Sequence, residues 1–245
     1  MFNDISKLKK FYSQRLGRYC AKSINNQLIE FLTNSKNLKI LGVGYTFPFL
    51  KNHISQINSI LFFMPHEYKG YIQNISSLVD INNLPIQDLY FDRIIVAHTL
   101  EYSQNIEKFL YEIWRILNGE GEALFIIPNR IGFWARDENN PFGHGQPYSK
   151  TQLLNLLRDN NFEIKRVKYA LYAPPTHNSF ILKHFNRIEK FFKSWLLGFG
   201  GVIIVEAKKQ IYGIQNAKSL QKRKLSKLIS IPSRAMRISN KSLNL

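Results

Sequence analysis

Acid is scarce in this chain: 17 Asp and Glu stand against 34 Lys and Arg, a formal net charge of +17 over 245 residues. Cysteine is all but missing, since Cys20 stands alone. An intrachain disulfide is excluded, and a reducing compartment, the cytoplasm, is the expected location. Long apolar runs are lacking too. The longest, 195–205, covers about 11 residues with Gly198, Gly200 and Gly201 inside it, against the roughly 20 needed to cross a bilayer. No transmembrane segment is expected. The first ten residues alternate Lys with single apolar residues and hold no apolar core of a secretory signal. No interior Pro/Gly/Ser linker divides the chain, so one substantial core is expected. Walker, Gly-x-Ser-x-Gly and Cys/His metal spacings do not occur. Nucleotide hydrolysis, a serine esterase and structural zinc are thereby disfavoured, and no metal is expected.

The positive charge sits at the ends. Residues 208–245 carry ten Lys/Arg and no acid, and 1–22 carry six against Asp4, which leaves only +2 for the middle. Such ends fit an anionic partner, RNA or a membrane surface. Compositional drift in a chain rich in Lys, Asn and Ile explains them equally well.

Helical spacing at Leu16, Tyr19, Cys20, Ile24, Leu28, Phe31 and Leu32 predicts two lead-in helices within 5–33, interrupted at Gly17. Short apolar runs at 38–43, 59–64, 77–80, 93–97 and 122–127 read as buried parallel strands. The clearest helix lies at 105–117, with Asn118-Gly119 as its stop. This alternation predicts an α/β fold: a doubly wound, mainly parallel sheet, Rossmann-like, with helices on both faces. The expected organisation is a helical lead-in at 1–37, an α/β domain at 38–208 and a basic, flexible tail at 209–245, which shows weak helical spacing at Leu220, Leu225, Leu228 and Ile229.

After Pro128 the pattern lapses for about 20 residues, a length that usually marks a lid or binding loop. It ends at Ser149-Lys150-Thr151-Gln152, a capping box that opens the next helix. Residues 162–171 alternate as a strand, and 201–208 form the last one. Between them, Ile181, Phe185, Ile188, Phe192 and Trp195 make one apolar stripe, with Lys183, Arg187, Lys190 and Lys193 opposite. That basic amphipathic helix fits packing on the sheet or an interfacial role.

Chemistry is expected where Leu38-Lys39-Ile40-Leu41-Gly42-Val43-Gly44 ends, because glycines after an apolar strand let the backbone approach a ligand at a sheet's carboxyl edge. Four segments, LKILGVGY, DINNLP, FDRIIVAHTLEY and EIWRILNGEGEALFIIPN, together resemble the class I S-adenosylmethionine-dependent methyltransferases, and among them the type 11 group. The resemblance spans roughly 38–162 and, more loosely, on to 208. It implies S-adenosyl-L-methionine as cofactor, held by Gly42, Gly44, Tyr45, Thr46, Met64, Asp80, Ile81 and Ala97, with Asp80 accepting from the adenine amino group. It also implies substrate contacts near Tyr102, which stands where a histidine is common.

Methyl transfer is a displacement that depends on alignment. An oxygen or nitrogen acceptor can still need its proton removed, and His98 and His144 are the candidate bases because histidine ordinarily titrates near neutrality. In the lid, Asn129, Arg130, Trp134, Arg136 and Tyr148 are the candidate substrate residues. Tyr45, Trp134 and Tyr148 are suited to face a sulfonium or a flat substrate.

Two departures from the family pattern matter. Gly42 stands where an acid usually ends the first strand, and Met64-Pro65 where an acid usually binds ribose, with Glu67 nearby. A lost carboxylate contact is worth about 1.5–3 kcal/mol, tenfold or more in affinity. A non-catalytic, methyltransferase-like binding or scaffold protein is therefore the alternative. A nicotinamide enzyme fits poorly, because Phe47 replaces the third fingerprint glycine.

Overall fold

The computed structural model describes residues 4–33, 35–54, 57, 59–65, 76–176, 178–196 and 198–211. Met1–Ile211 forms one compact unit and Tyr212–Leu245 a second, whose expected helical spacing and basic residues lie outside the described residues, as does Glu67.

Seven strands make one sheet: β1 (Lys39–Gly44), β2 (Ser59–Pro65), β3 (Ser76–Val79), β4 (Phe91–Ala97), β5 (Leu117–Pro128), β6 (Phe162–Ala170) and β7 (Val202–Lys209). Their order is β3-β2-β1-β4-β5-β7-β6, with the first five parallel and β7 antiparallel to both its neighbours. Alternation along each strand sends side chains to opposite faces. Ile40, Ile95, Leu124, Ile126 and Ile204 pack into one core, while Leu41, Val43, Ile94, Val96, Phe125 and Val205 pack into the other.

The first core is covered by α1 (Ile5–Ser13), α2 (Arg15–Leu32), the single turn α3 (Phe47–Leu50) and the segment of α6 (Ser179–Lys183) and α7 (Phe185–Trp195). The second is covered by α4 (Ile106–Ile116) and α5 (Lys150–Asp159). Both are framed by caps legible in the sequence. Asn105 accepts from Lys108 N, and Ser149 with Gln152 forms the reciprocal capping box.

Three boundaries differ from the sequence reading. The lead-in breaks at Gln14, whose extended backbone donates to Phe11 O, and Gly17 lies inside α2, where a Cβ would come within 2.0 Å of that same carbonyl. Gly17 therefore lets two helices touch. Helix α4 stops at Ile116, and Asn118-Gly119 becomes the start of a bulge in β5, with the register jumping between Phe91/Leu117 and Arg93/Glu122. The 181–195 stripe is split at His184, which leaves helical geometry. Phe185 is buried, but Phe192 is only partly so and Trp195 is 76% exposed, so the stripe is only partly absorbed by the core.

Helix α4 also clamps the loop after β3. Arg115 donates to both oxygens of Glu112, to the carbonyls of Leu84 and Ile86 and to Asp88, while Leu84 N donates to Glu112 Oε2. The Glu112 carboxylate, then Asp88, holds the guanidinium well above its ordinary pKa. We expect Arg115→Met to cost about 2–3 kcal/mol, because it strands the buried Glu112. Calorimetry should show the melting midpoint lowered by about 5–10 °C.

Candidate functional site

The chain reverses its direction of strand addition between β1 and β4, and ligands of open α/β sheets bind outside the carboxyl ends at such a point. There Gly44 pairs with Ala97. Gly44 has φ +79°, and a Cβ on it would lie 1.8 Å from Thr99 Oγ1 and 2.1 Å from Ala97 O. Only glycine closes this turn, which Thr46 N tightens by donating to Gly44 O. A Cβ on Gly42 would meet Thr46 Oγ1 at 2.2 Å and the Phe62 ring at 3.0 Å, so Gly42 makes room for protein side chains. Thr46 is fully buried, and its hydroxyl has no hydrogen-bond partner among the described residues.

His98, just past β4, is in the left-handed region (φ 55°), uncommon for a residue with a Cβ. This turns the ring inward. Its Nε2 lies 2.7 Å from the Tyr12 hydroxyl, and its Nδ1 lies 3.5 Å from Glu101 Oε1, with both His98 and Glu101 buried. The three side chains form a Tyr-His-Glu line from α1 to the turn after β4. Phe49 and Phe142 flank the imidazole, and Tyr45 stacks on Tyr12 at 5.8 Å. Burial pushes Tyr12 well above the usual tyrosine pKa, and moves Tyr45 up to about 12.

Two strands away lies the β3 loop. Because Val43 pairs with Phe63 and Met64 with Leu78, Asp80 projects two residues past the level of Gly44. At ordinary strand spacing and rise the two positions are about 12 Å apart along one edge. Asp80 is exposed, with Oδ1 accepting from Asn82 N; Ile81 is buried, and Asn82 Oδ1 is a buried oxygen with no partner among the described residues. Met64 and Ala97 are fully buried.

Solved structures share this architecture. A SAM-dependent methyltransferase of Thermotoga maritima, described as a possible histamine N-methyltransferase, has a TM-score of 0.60 at 17% identity over 84% of this chain and 96% of its own. A SAM-dependent methyltransferase of Archaeoglobus fulgidus gives 0.56 at 14% over 82% and 97%. The geranyl diphosphate C-methyltransferase of Streptomyces coelicolor gives 0.51 at 13% over 77% and 80%. Identities this low carry the fold alone. No curated protein matches the chain in sequence. Residues 67–125, however, match the family model for the methyltransferase domain, across the β3 loop, His98 and α4. Within that stretch the chain carries the sequence pattern of a methyltransferase domain, on a fold shared with SAM-dependent methyltransferases.

The segment after β5, expected to act as a lid, is a tightly fastened loop. Arg130 N donates to Tyr148 O and Tyr148 N to Pro128 O, while Gln146 N donates to Glu101 O. Asn129 is buried, its amide donating to Gly198 O and Gly200 O. Trp134, expected to face a ligand, is instead fully buried, with Nε1 donating to Ala173 O at 2.7 Å. Its ring packs against Gly201, where a Cβ would come within 2.3 Å. Arg130 reaches Pro147 O, and Arg136 is exposed. His144 Nε2 donates to Glu138 O within the loop, 2.7 Å away. Tyr102 donates to Pro141 O at 3.4 Å, and burial raises its pKa. Tyr148 is buried with no partner for its hydroxyl among the described residues.

Sequence reasoning missed Tyr12 and Glu101. Glu101 had a signal, an acid three residues after His98 inside an apolar turn. Tyr12 had none, because only tertiary packing brings it across 86 positions. Among the described residues no group of His, Cys, Asp and Glu could hold a metal, and no helix is long and apolar enough to cross a membrane.

The tyrosines set an alkaline limit. Burial raises the folded-state pKa of Tyr45, so below pH 10 both states are protonated and its contribution is whole. Between pH 10 and about 12 the unfolded chain ionises first, and stability falls as pH rises. Tyr12 and Tyr102 act in the same direction. Denaturation midpoints across pH 8–12 should be flat below 10 and then drop, with a shallower drop in Tyr45→Phe.

Proposed function

We propose that the protein transfers a methyl group from S-adenosyl-L-methionine to a nucleophilic oxygen or nitrogen, with its cofactor along the edge from Gly44 to Asp80. The observation that carries this reading is the glycine-only turn at Gly44, paired with Ala97 at the switch point beside the buried Tyr12-His98-Glu101 line. The residues present fit an adenosyl compound. Two buried oxygens without partners among the described residues, Thr46 Oγ1 and Asn82 Oδ1, occupy the loops at the two ends of that edge. Asp80 adds an exposed carboxylate for an exocyclic amine.

The cofactor supplies an electrophilic methyl on a positively charged sulfur. An oxygen or nitrogen acceptor would have to lose its proton on gaining that methyl, the C–S bonding pair leaving with the sulfur. Tyr12 takes that proton while passing its own to His98 Nε2, and the Glu101 carboxylate faces the imidazolium so formed. Aromatic rings and the fastened lid keep water from this line. His144 serves the lid in this reading. The branch we assign is the type 11 group and the location the cytoplasm, with the basic ends holding an anionic partner, RNA or a membrane surface.

One observation favours the non-catalytic alternative: Met64, buried in the core, stands where a ribose-binding acid is usual. Calorimetric titration of the full chain with S-adenosyl-L-methionine separates the two. Saturable micromolar binding is expected, weakened tenfold or more in Asp80→Ala. No heat up to millimolar ligand would overturn the enzymatic reading.

A further inference from the structure

Helix α2 spans 18 residues, about 27 Å at helical rise, whereas its neighbour α3 is a single turn. Between them opens a groove of about 670 Å3, continuous with α1 and meeting the Gly44 end of the sheet edge at Tyr45. Asn25 fixes its width by donating across it to Pro48 O. Its charge is one-sided. Lys9, Arg18, Lys22 and Lys51 line it together with His53, and no Asp or Glu among the described residues does. None of those four cations has a salt-bridge partner among the described residues. Cations gathered without counter-charge in a concavity raise its potential and draw in an anion.

The floor is of another character. Tyr12, Tyr45 and Phe47 face the groove, with Ile29 and Pro48 on its walls. Its volume lies in the range of small-molecule sites, which combine an apolar lining with a few placed polar groups. A nucleic-acid strand would ask for an open track with protruding rings. Here the rings lie at the bottom of a cleft. The position of Tyr12 gives the groove its meaning, since it lines the floor and also places its hydroxyl 2.7 Å from His98 Nε2. The stacked Tyr12-Tyr45 pair thus separates the groove from the histidine.

We propose that this groove is the acceptor subsite, and that the acceptor is a small anion, a phosphate or sulfonate ester type of group joined to a flat or apolar body. The anion lies among Lys22, Lys51, Arg18 and Lys9, and the body lies on the tyrosine floor. Calling it an acceptor rests on the methyl-transfer reading; the anion site itself does not.

1-Naphthyl phosphate, followed by its fluorescence with the full-length protein, tests this. One-to-one saturable binding is expected, weakened tenfold or more in Lys22→Glu/Lys51→Glu and unchanged in Lys193→Glu on α7. Melting curves of each variant check that it is folded. Equal binding of 1-naphthol, or equal binding by wild type and the double variant, would sink the proposal. So would a single-stranded oligonucleotide that displaces the probe at far lower concentration, because it would mark a nucleic-acid surface. Probe binding that responds to the double variant in a protein giving no heat with S-adenosyl-L-methionine would keep the anion site and remove only the word acceptor.

Discussion

A single buried hydrogen bond, Tyr12 hydroxyl to His98 Nε2, joins the first helix of the chain to the carboxyl end of the sheet. Much else is arranged around it. It requires His98 to point inward, which the left-handed backbone at that residue achieves, and it requires α1 to lie over the switch point between β1 and β4. Both requirements are costly in isolation. A non-glycine residue at positive φ and a buried tyrosine each need compensation, which the aromatic packing of Tyr45, Phe49 and Phe142 supplies. The lead-in helices are consequently part of the first core, with Leu8, Phe11, Leu16, Ile24 and Leu28 packed into it.

The two flanks of the edge are built on different principles. On the β3 side the loop bearing Asp80 is fastened from below by Arg115 and Glu112, so a rigid helix sets its position. On the α1–α3 side the fixed parts are aromatic and the cations sit loosely at the rim. A rigid flank beside an adaptable charged one suits an enzyme with one constant ligand and one selected ligand.

Strands β1, β2, β4 and β7 were readable because apolar runs of four to eight residues bounded by polar residues have few other uses in a chain of this size. The capping box at Ser149 was readable for a local reason as well, since two side chains and two amides three residues apart complete it. What the sequence hid was decided at a distance. Gly17 looked like a helix break and proved to be a point of contact with Phe11. Asn118-Gly119 looked like a stop and became a bulge, because Asp92 on the neighbouring strand accepts from the Asn118 amide. In the lid, residue types suited to a ligand were right for a loop that folds inward: Trp134 and Asn129 use their polar atoms on carbonyls of the α7–β7 region and of the segment after β6. The Gly44 turn was legible as a glycine closing an apolar strand and Asp80 was singled out through the family resemblance, whereas the groove beside α3 depends on a helix ending after one turn, which no motif announced.

The final strand has a consequence for synthesis. β7 lies between β5 and β6, pairing with each along nearly its whole length. Until it emerges, β5 has a bare edge and β6 has no neighbour in the sheet. A growing polypeptide therefore carries an open hydrogen-bonding margin on β5 from residue 128 until residue 209 has cleared the ribosome, when β7 fills it and joins β6 to the sheet.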